Sequence, residues 1–282
     1  MIMNIENALN IANNILKENC TNSYQLDSEL LMSKIFEKDR KFIILNSNKK
    51  LSEEKLEQFN CLINKRSKGE PIAYLLKKKD FWKYEFYVDK GILIPRPDSE
   101  VVVDQILKLT NNKDNLRILD IGVGSGCLLL SVLKERKNFH GVGIDISKKC
   151  IDISNINALK LKISNRVKFF KSDVDNFKFG KYDLIVSNPP YIKMIDFNSL
   201  KKDVINFEPK LALYGGLDGT SEIRKVIKKS SELIKKNGIF ILEIAYDQKN
   251  KVIKLLRDKG FYINNVLKDL ADNDRCIVST KV

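Results

Sequence analysis

Residues 118–127 read ILDIGVGSGC, and the reading of this stretch decides the fold. Its first four residues continue an apolar run from Leu116 and read as a strand. Three glycines follow, Gly122, Gly124 and Gly126, and then GCLLLSVLKER (126–136) reads as a helix. Glycines between a strand and a helix let backbone N–H groups and the helix N-terminus approach a ligand closely. A dinucleotide-binding G-x-G-x-x-G would need glycine at 127, where this chain has Cys127. Downstream the alternation continues. HGVGIDI (140–146), RVKFFKSD (166–173), YDLIVSN (182–188), GIFILEIA (238–245) and a closing pair, FYINNVLKD and RCIVSTK, read as strands. Helical patterns at 147–161, 219–235 and 247–259 separate most of them. Alternating strands and helices over this length predict an α/β domain with a doubly wound, mostly parallel, seven-stranded sheet.

Upstream the pattern differs. Ile5, Ala8, Leu9, Ala12, Ile15 and Leu16 keep helical spacing, 26–36 is a second helix, and 51–71 a third that starts at Ser52 and stops at Gly69 and Pro71. Residues 1–73 are therefore expected to form a small all-α domain. KYEFYV and GILIP flank the turn signal DKG, predicting a β-hairpin linker over 74–95. The α/β domain would run from 96 to 282, entered by a helix at 95–109 that Asp98 or Ser99 caps.

With 282 residues, 43% hydrophobic and 30% charged, the composition is that of an ordinary globular protein. No apolar run approaches the roughly 20 residues of a membrane span. The start has no basic n-region and no unbroken apolar core, so no signal peptide is expected and the cytoplasm is the default. Cys20, Cys61, Cys127, Cys150 and Cys276 are scattered and odd in number, which argues for reduced thiols and against a zinc site. His140 is the one histidine, read as a surface residue, so neither a Ser-His-Asp triad nor a His-ligated metal centre is expected. The net charge of +14 invites nucleic acid, but it comes from 41 Lys against 9 Arg. Recognition of bases and phosphates favours the guanidinium fork, so the excess reads as compositional drift.

The other strand ends carry chemistry. Asp145 ends the second strand, 21 residues beyond Gly124, where an acid can accept both ribose hydroxyls of a nucleoside. Asp173 follows the third strand, with Val174 beside it. Alone, Asp145 reads equally as a helix N-cap and Asp173 as a turn residue. After the fourth strand comes SNPPY (187–191), a stiff turn poor in N–H donors. The acid Asp120 before Gly122, Gly124 and Gly126 makes this loop, with Val123 and Ser125, resemble motif I of the S-adenosyl-L-methionine-dependent methyltransferases. Asn188-Pro189-Pro190-Tyr191 resembles the [ND]-P-P-[YFW] motif of methyltransferases that act on planar, conjugated nitrogens. The physical logic fits. An amide or exocyclic NH₂ has its lone pair tied into a π system and is a poor nucleophile. The Asn188 side-chain oxygen and the Pro189 carbonyl can each accept one N–H and aim the nitrogen. Both acceptors become more favourable as positive charge develops, and Tyr191 can stack on the planar group.

The motif alone leaves DNA adenine, rRNA guanine or a protein glutamine as acceptor. GEPIAYLL (69–76), FYVDKGILIPRPDSE (86–100), FEPKLALYGGLDG (207–219), LEIAYDQ (242–248) and DLADNDR (269–275) all resemble one family. It is the protein-(glutamine-N5) methyltransferase of class I peptide-chain release factors. The resemblance spans essentially the whole chain, and all six prolines fall inside its motifs. It implies S-adenosyl-L-methionine as cofactor, held by Gly122–Gly126, Asp145, Asp173, Val174 and Asn188. The implied substrate is the glutamine of the release factor's Gly-Gly-Gln loop, bound by Asn188, Pro189, Pro190 and Tyr191 and gripped through residues 1–73. It implies a monomer that requires neither membrane nor nucleic acid. Ser99 and Val123 stand where threonine is common, Val174 where some members have an aromatic, and LLKKKDFW lacks a usual glycine. The alternative acceptor is an exocyclic amine of an RNA or DNA base. Pro95 and Pro97 read as joint stiffeners, and Arg96 and Glu208 as braces for the active-site loop.

Overall fold

A computed structural model describes residues 3–19 and 21–282, so Cys20 lies outside the described residues. The chain divides into two compact units, residues 1–78 with 201–207 and residues 79–200 with 208–282.

The first unit contains α1 (Ile5–Glu18), α2 (Tyr24–Phe36), α3 (Arg40–Leu45), α4 (Glu53–Ser67) and α5 (Ile72–Leu76). Asn4, Asp39 and Ser52 cap α1, α3 and α4 by accepting backbone N–H groups of the first turn. The stripe on α1 is narrower than its spacing suggests. Ile5, Ala8, Ala12 and Leu16 are buried with Leu31, Met32, Ile43, Phe59 and Ile63, while Leu9 is partly buried and Ile15 faces solvent. Each fully buried Ile, Leu or Phe contributes about 1.5–3 kcal/mol.

The hairpin is not where the DKG signal puts it. β1 (Lys78–Phe81) pairs with β2 (Tyr84–Tyr87), and the chain turns at Trp82 with φ 58°. DKG closes a separate turn through Ile92 N donating to Asp89 O at 3.1 Å, and GILIP starts inside that turn and forms no strand. The Trp82 amide donates to Glu100 Oε1 at 2.8 Å and its indole to Glu135 Oε1 at 3.3 Å. Those bonds hold a bulky residue in a conformation it seldom adopts alone.

The second unit continues with α6 (Glu100–Leu109), β3 (Arg117–Ile121), α7 (Cys127–Glu135), β4 (His140–Asp145), α8 (Lys148–Lys160), β5 (Val167–Lys171) and β6 (Tyr182–Ser187). After α9 (Lys202–Phe207), which belongs to the first unit, come α10 (Ser221–Leu233), β7 (Ile234–Glu243), α11 (Lys249–Arg257), β8 (Phe261–Lys268) and β9 (Asp274–Lys281). Strand order is β5-β4-β3-β6-β7-β9-β8, with β9 antiparallel to both neighbours and the other pairings parallel. Both sheet faces are covered. Ile118 and Leu184 join one core with α6 and α7, while Leu119 and Ile185 join a second core with α10 and α11. Burial on both faces makes β3 and β6 read as unbroken apolar runs.

Candidate active site

The chain runs outward from β3 to β5 and then returns to lay β6 on the other side of β3. At such a reversal the crevice at the carboxyl ends of the strands opens. Register places the functional groups there. Ile121 pairs with Ile144 on one side and Ser187 on the other, so Gly122, Asp145 and Asn188 leave the sheet at one level.

Gly122, Gly124 and Gly126 have φ of 78°, 56° and 83°, a region other residues enter at a cost. At Gly122 and Gly124 a Cβ would meet nothing within 4 Å, so the loop presents an open cradle. Gly126 is crowded instead, since a Cβ there would lie 2.8 Å from Leu130 Cδ1. Gly122 N and Val123 N both donate to Ile144 O at 2.9 and 3.0 Å. From α8, Ser154 Oγ donates to Gly124 O at 2.9 Å and Asn157 Nδ2 to Ser125 O at 2.9 Å. Asn157 is fully buried and also bonds both backbone groups of Tyr87, so one side chain fixes the loop and β2 together.

Asp145 accepts Gly124 N–H on Oδ2 at 3.0 Å and Ser147 N–H on Oδ1 at 2.9 Å. Burial pushes its carboxyl above the ordinary range, and those two amides pull it back. The helix after it is capped by Ser147, not by Asp145. Asp173 accepts Asp175 N–H at 2.8 Å and caps a short turn, next to a partly buried Val174.

At the end of β6, Ser187 Oγ donates to Ile121 O at 2.7 Å, and Asn188 Nδ2 donates to Ser99 Oγ at 3.2 Å. A cavity of about 280 Å³ joins these ends; it is lined by Gly122, Val123, Gly124, Ser125, Asp145, Asp173, Val174, Asn188, Pro189 and Pro190. Gly126 and Tyr191 are not on its wall. Tyr191 packs against the second core, donates its hydroxyl to Glu243 Oε1 at 3.3 Å, and has its own carbonyl bound by Gln248 Nε2 at 3.0 Å. Burial, and then the Glu243 charge, raise its phenol pKa, so it stays protonated.

Several contributors escape motif reading. Ser99 does not cap α6 with its side chain; it meets Asn188 and lines the cavity. Glu208 is buried, pairs with Arg96 and accepts Ile94 N–H at 3.1 Å, tying the IPRP segment to FEP. Asp120 is 1% exposed, and neither carboxyl oxygen meets a donor at bonding geometry. Burial and then the Asp145 charge push it up to about 7. The thiols of Cys127 and Cys150, both on the cavity wall, are pushed up to about 12 by burial, which makes them poor nucleophiles. Among the described residues no group of His, Cys, Asp or Glu is placed to hold a metal ion.

Residues 7–76 match the PrmC N-terminal domain, and residues 112–278 match a methyltransferase domain. The release factor glutamine methyltransferase of Clostridium acetobutylicum is 36% identical over 282 residues, covering 99% of each chain. The chain belongs to the release factor glutamine methyltransferase family. A second member, from Buchnera aphidicola subsp. Baizongia pistaciae, is 37% identical over 283 residues, covering 99% of this chain and all of its own. Among solved structures, ribosomal protein L11 methylase from Lactobacillus delbrueckii subsp. bulgaricus is 18% identical with a TM-score of 0.51, covering 72% of this chain and 90% of that one. That likeness concerns the fold alone. Among the described residues no helix is long and apolar enough to cross a membrane.

Proposed function

We infer that this family member transfers a methyl group from S-adenosyl-L-methionine to the side-chain amide nitrogen (N5) of the glutamine in the Gly-Gly-Gln motif of class I peptide-chain release factors. The observation that carries the reading is the single level at which Gly122, Asp145 and Asn188 leave the sheet. It sets a nucleoside-sized cradle beside an acceptor-rich turn. The cradle fits the cofactor: open space over Gly122 and Gly124, a carboxylate at Asp145 for ribose hydroxyls, and Asp173 with Val174 for the adenine. When bound, the cofactor supplies an electrophilic methyl on a sulfonium.

The protein's own work is orientation. Asn188 commits its NH₂ to Ser99, which leaves Oδ1 to accept an N–H of the substrate amide. Pro189 and Pro190 have no N–H, so the turn offers carbonyls and cannot compete for the same acceptors. The two acceptors hold the nitrogen in line and stabilise the charge it gains, an effect worth about 10²–10³ in rate. Within this reading, residues 1–73 grip the release factor, 74–95 link, and 96–282 catalyse. The enzyme acts as a cytoplasmic monomer, with no nucleic acid required.

The test is incubation with S-adenosyl-L-methionine and an unmodified release factor, followed by mass mapping of the Gly-Gly-Gln peptide. One added methyl on that glutamine, lost in Asn188→Ala while the fold persists, is expected. An unmodified peptide from folded, cofactor-binding enzyme would refute the acceptor.

A further inference from the structure

In the strand order β5 comes first, so one of its edges has no strand partner among the described residues. Lys168 and Phe170 of β5 are two residues apart and share a face of the strand. Their register partners Val142 and Ile144 lie in the second core, so this face carries the core outward to the rim of the sheet. There Phe170 is 43% exposed. The chain returns toward β6 through FKFGK (177–181), where Phe177 is buried in the same core. Phe179 is 73% exposed, more than any other described aromatic side chain. Ring centroids are 6.2 Å apart for Phe170 and Phe177 and 5.9 Å for Phe177 and Phe179, so one buried ring supports two exposed ones. The backbone beneath is tied down as well, since Phe179 O accepts the Tyr182 hydroxyl at 2.9 Å.

Four lysines bracket these rings. Lys168, Lys171 and Lys178 are exposed and make no ion pair among the described residues. Lys181 donates to Glu232 O at 2.5 Å, a neutral carbonyl that leaves its charge whole. Of the two acids in the stretch, Asp173 lines the cofactor cavity, which leaves Asp175 against four lysines. Lysine along an open sheet edge guards against edge-to-edge pairing. That guard accounts for Lys168 and Lys171, but not for a phenylalanine left in water between Lys178 and Lys181. Exposed rings among unpaired cations suit single-stranded nucleic acid, whose bases stack on the rings while its phosphates meet the cations. Lysine serves here as well as arginine, because a point charge follows a backbone without the fork that base reading needs. Bases in a duplex are already stacked on one another, so the fitting strand is unpaired, and unpaired strands are chiefly RNA. We propose that Phe170, Phe179 and these four lysines form a platform for single-stranded RNA, without sequence preference and apart from methyl transfer.

Binding of a fluorescein-labelled oligo(U) of about 12 nucleotides to the full chain would be read by anisotropy, at about 50 mM and about 200 mM salt. With about three or four phosphates neutralised, affinity should fall about twenty- to fiftyfold between the two conditions. Lys178→Ala/Lys181→Ala should lessen the slope of log affinity against log salt by about 1.4. Phe179→Ala and Phe170→Ala should each weaken binding about five- to a hundredfold with the slope unchanged, because stacking a base moves no counterion. All four side chains are on the surface, so melting temperature and calorimetric affinity for S-adenosylhomocysteine should stay at wild-type values. No binding at about 50 mM salt would overturn the proposal. So would phenylalanine variants that bind like wild type, which would leave charge alone at work, or a duplex of equal length bound as tightly. An acidic peptide of equal charge that displaces the RNA as well as unlabelled oligo(U) does would overturn it too, and would assign the face to a protein.

Discussion

Removing the Asp145 carboxylate tests the cofactor site directly. Gly124 and Ser147 each give this group one N–H, at 3.0 and 2.9 Å, leaving lone pairs on both oxygens for a ligand. Hydrogen bonds to a charged group are worth about 1.5–3 kcal/mol each. Two ribose hydroxyls together then amount to about 3–6 kcal/mol, so Asp145→Ala should weaken cofactor binding by roughly two to four powers of ten. Asp145→Asn keeps an acceptor but loses the charge and turns an NH₂ toward a backbone N–H, so a loss of about ten- to a hundredfold is expected. Asp145→Ala also strands the Gly124 and Ser147 amides, so its stability is measured beside its affinity. Burial raises the pKa of Asp145, so the folded state holds its proton more tightly than the unfolded chain does. Stability from this group is therefore highest in acid and falls as pH rises through the folded pKa, so at pH 8 losing the charge offsets part of the cost of the two stranded amides. Cofactor affinity has the opposite slope, since it needs the ionised form. Titration calorimetry with S-adenosylhomocysteine at pH 8, with melting curves alongside, makes the measurement. A folded Asp145→Ala protein that binds within about threefold of wild type would refute the assignment.

Asp120 offers a test in pH. Its carboxyl stands near pH 7 against an ordinary 3.8, so folding costs progressively more as pH rises between those values, up to about 4 kcal/mol. Asp120→Asn should be more stable than wild type by about 1–4 kcal/mol at pH 8 and close to it at pH 4; denaturant titrations with equal differences at both would contradict this. Glu208→Ala strands the Ile94 amide and one partner of Arg96, which is 35% exposed and partly rescued by water. A loss of about 1.5–3 kcal/mol is expected, with faster hydrogen exchange at Ile94, whereas Glu208→Gln should protect that amide. Unchanged exchange in the alanine variant would remove the brace. Gly126→Ala puts a Cβ at φ 83° and 2.8 Å from Leu130 Cδ1, so about 1–3 kcal/mol should be lost in a urea melt. A wild-type midpoint would refute it.

The parts of the fold that were legible are those where one physical rule acts alone. β3 and β6 are buried on both faces, so their apolar runs needed no tertiary knowledge. The glycine loop and Asp145 were legible because a doubly wound sheet offers ligands one place, the carboxyl ends of its strands. The helices Arg40–Leu45, Ile72–Leu76 and Lys202–Phe207 have six residues or fewer, too short for a 3.6-residue period to declare itself. The hairpin failed for a different reason: DKG is the stronger local signal, but Glu100 and Glu135 hold the turn at Trp82. Ser99 lies beyond any local rule, since it meets Asn188 only because the fold returns a turn from 89 residues away.

Electrostatics join these sites. Overall the chain carries +14, yet Asp145 on the crevice wall and the buried Asp120 and Glu243 make no lysine ion pair among the described residues. Asp120 lies near enough to Asp145 to be raised by its charge, and both Asp120 and Glu243 act on the Cys127 thiol between them. Asp120 and Glu243 are each pushed up to about 7, chiefly by burial. Three carboxyls in one dry region make the protein less stable at neutral pH, as the pH argument for Asp120 requires. Natural sequences keep such a cost where function needs it. S-adenosyl-L-methionine carries a sulfonium and an ammonium against one carboxylate, a net positive charge that suits a crevice with Asp145 on its wall. The charge that marks the site is thus the negative one held by a few buried groups. The +14 of the surface, mostly lysine, says little about what the crevice binds.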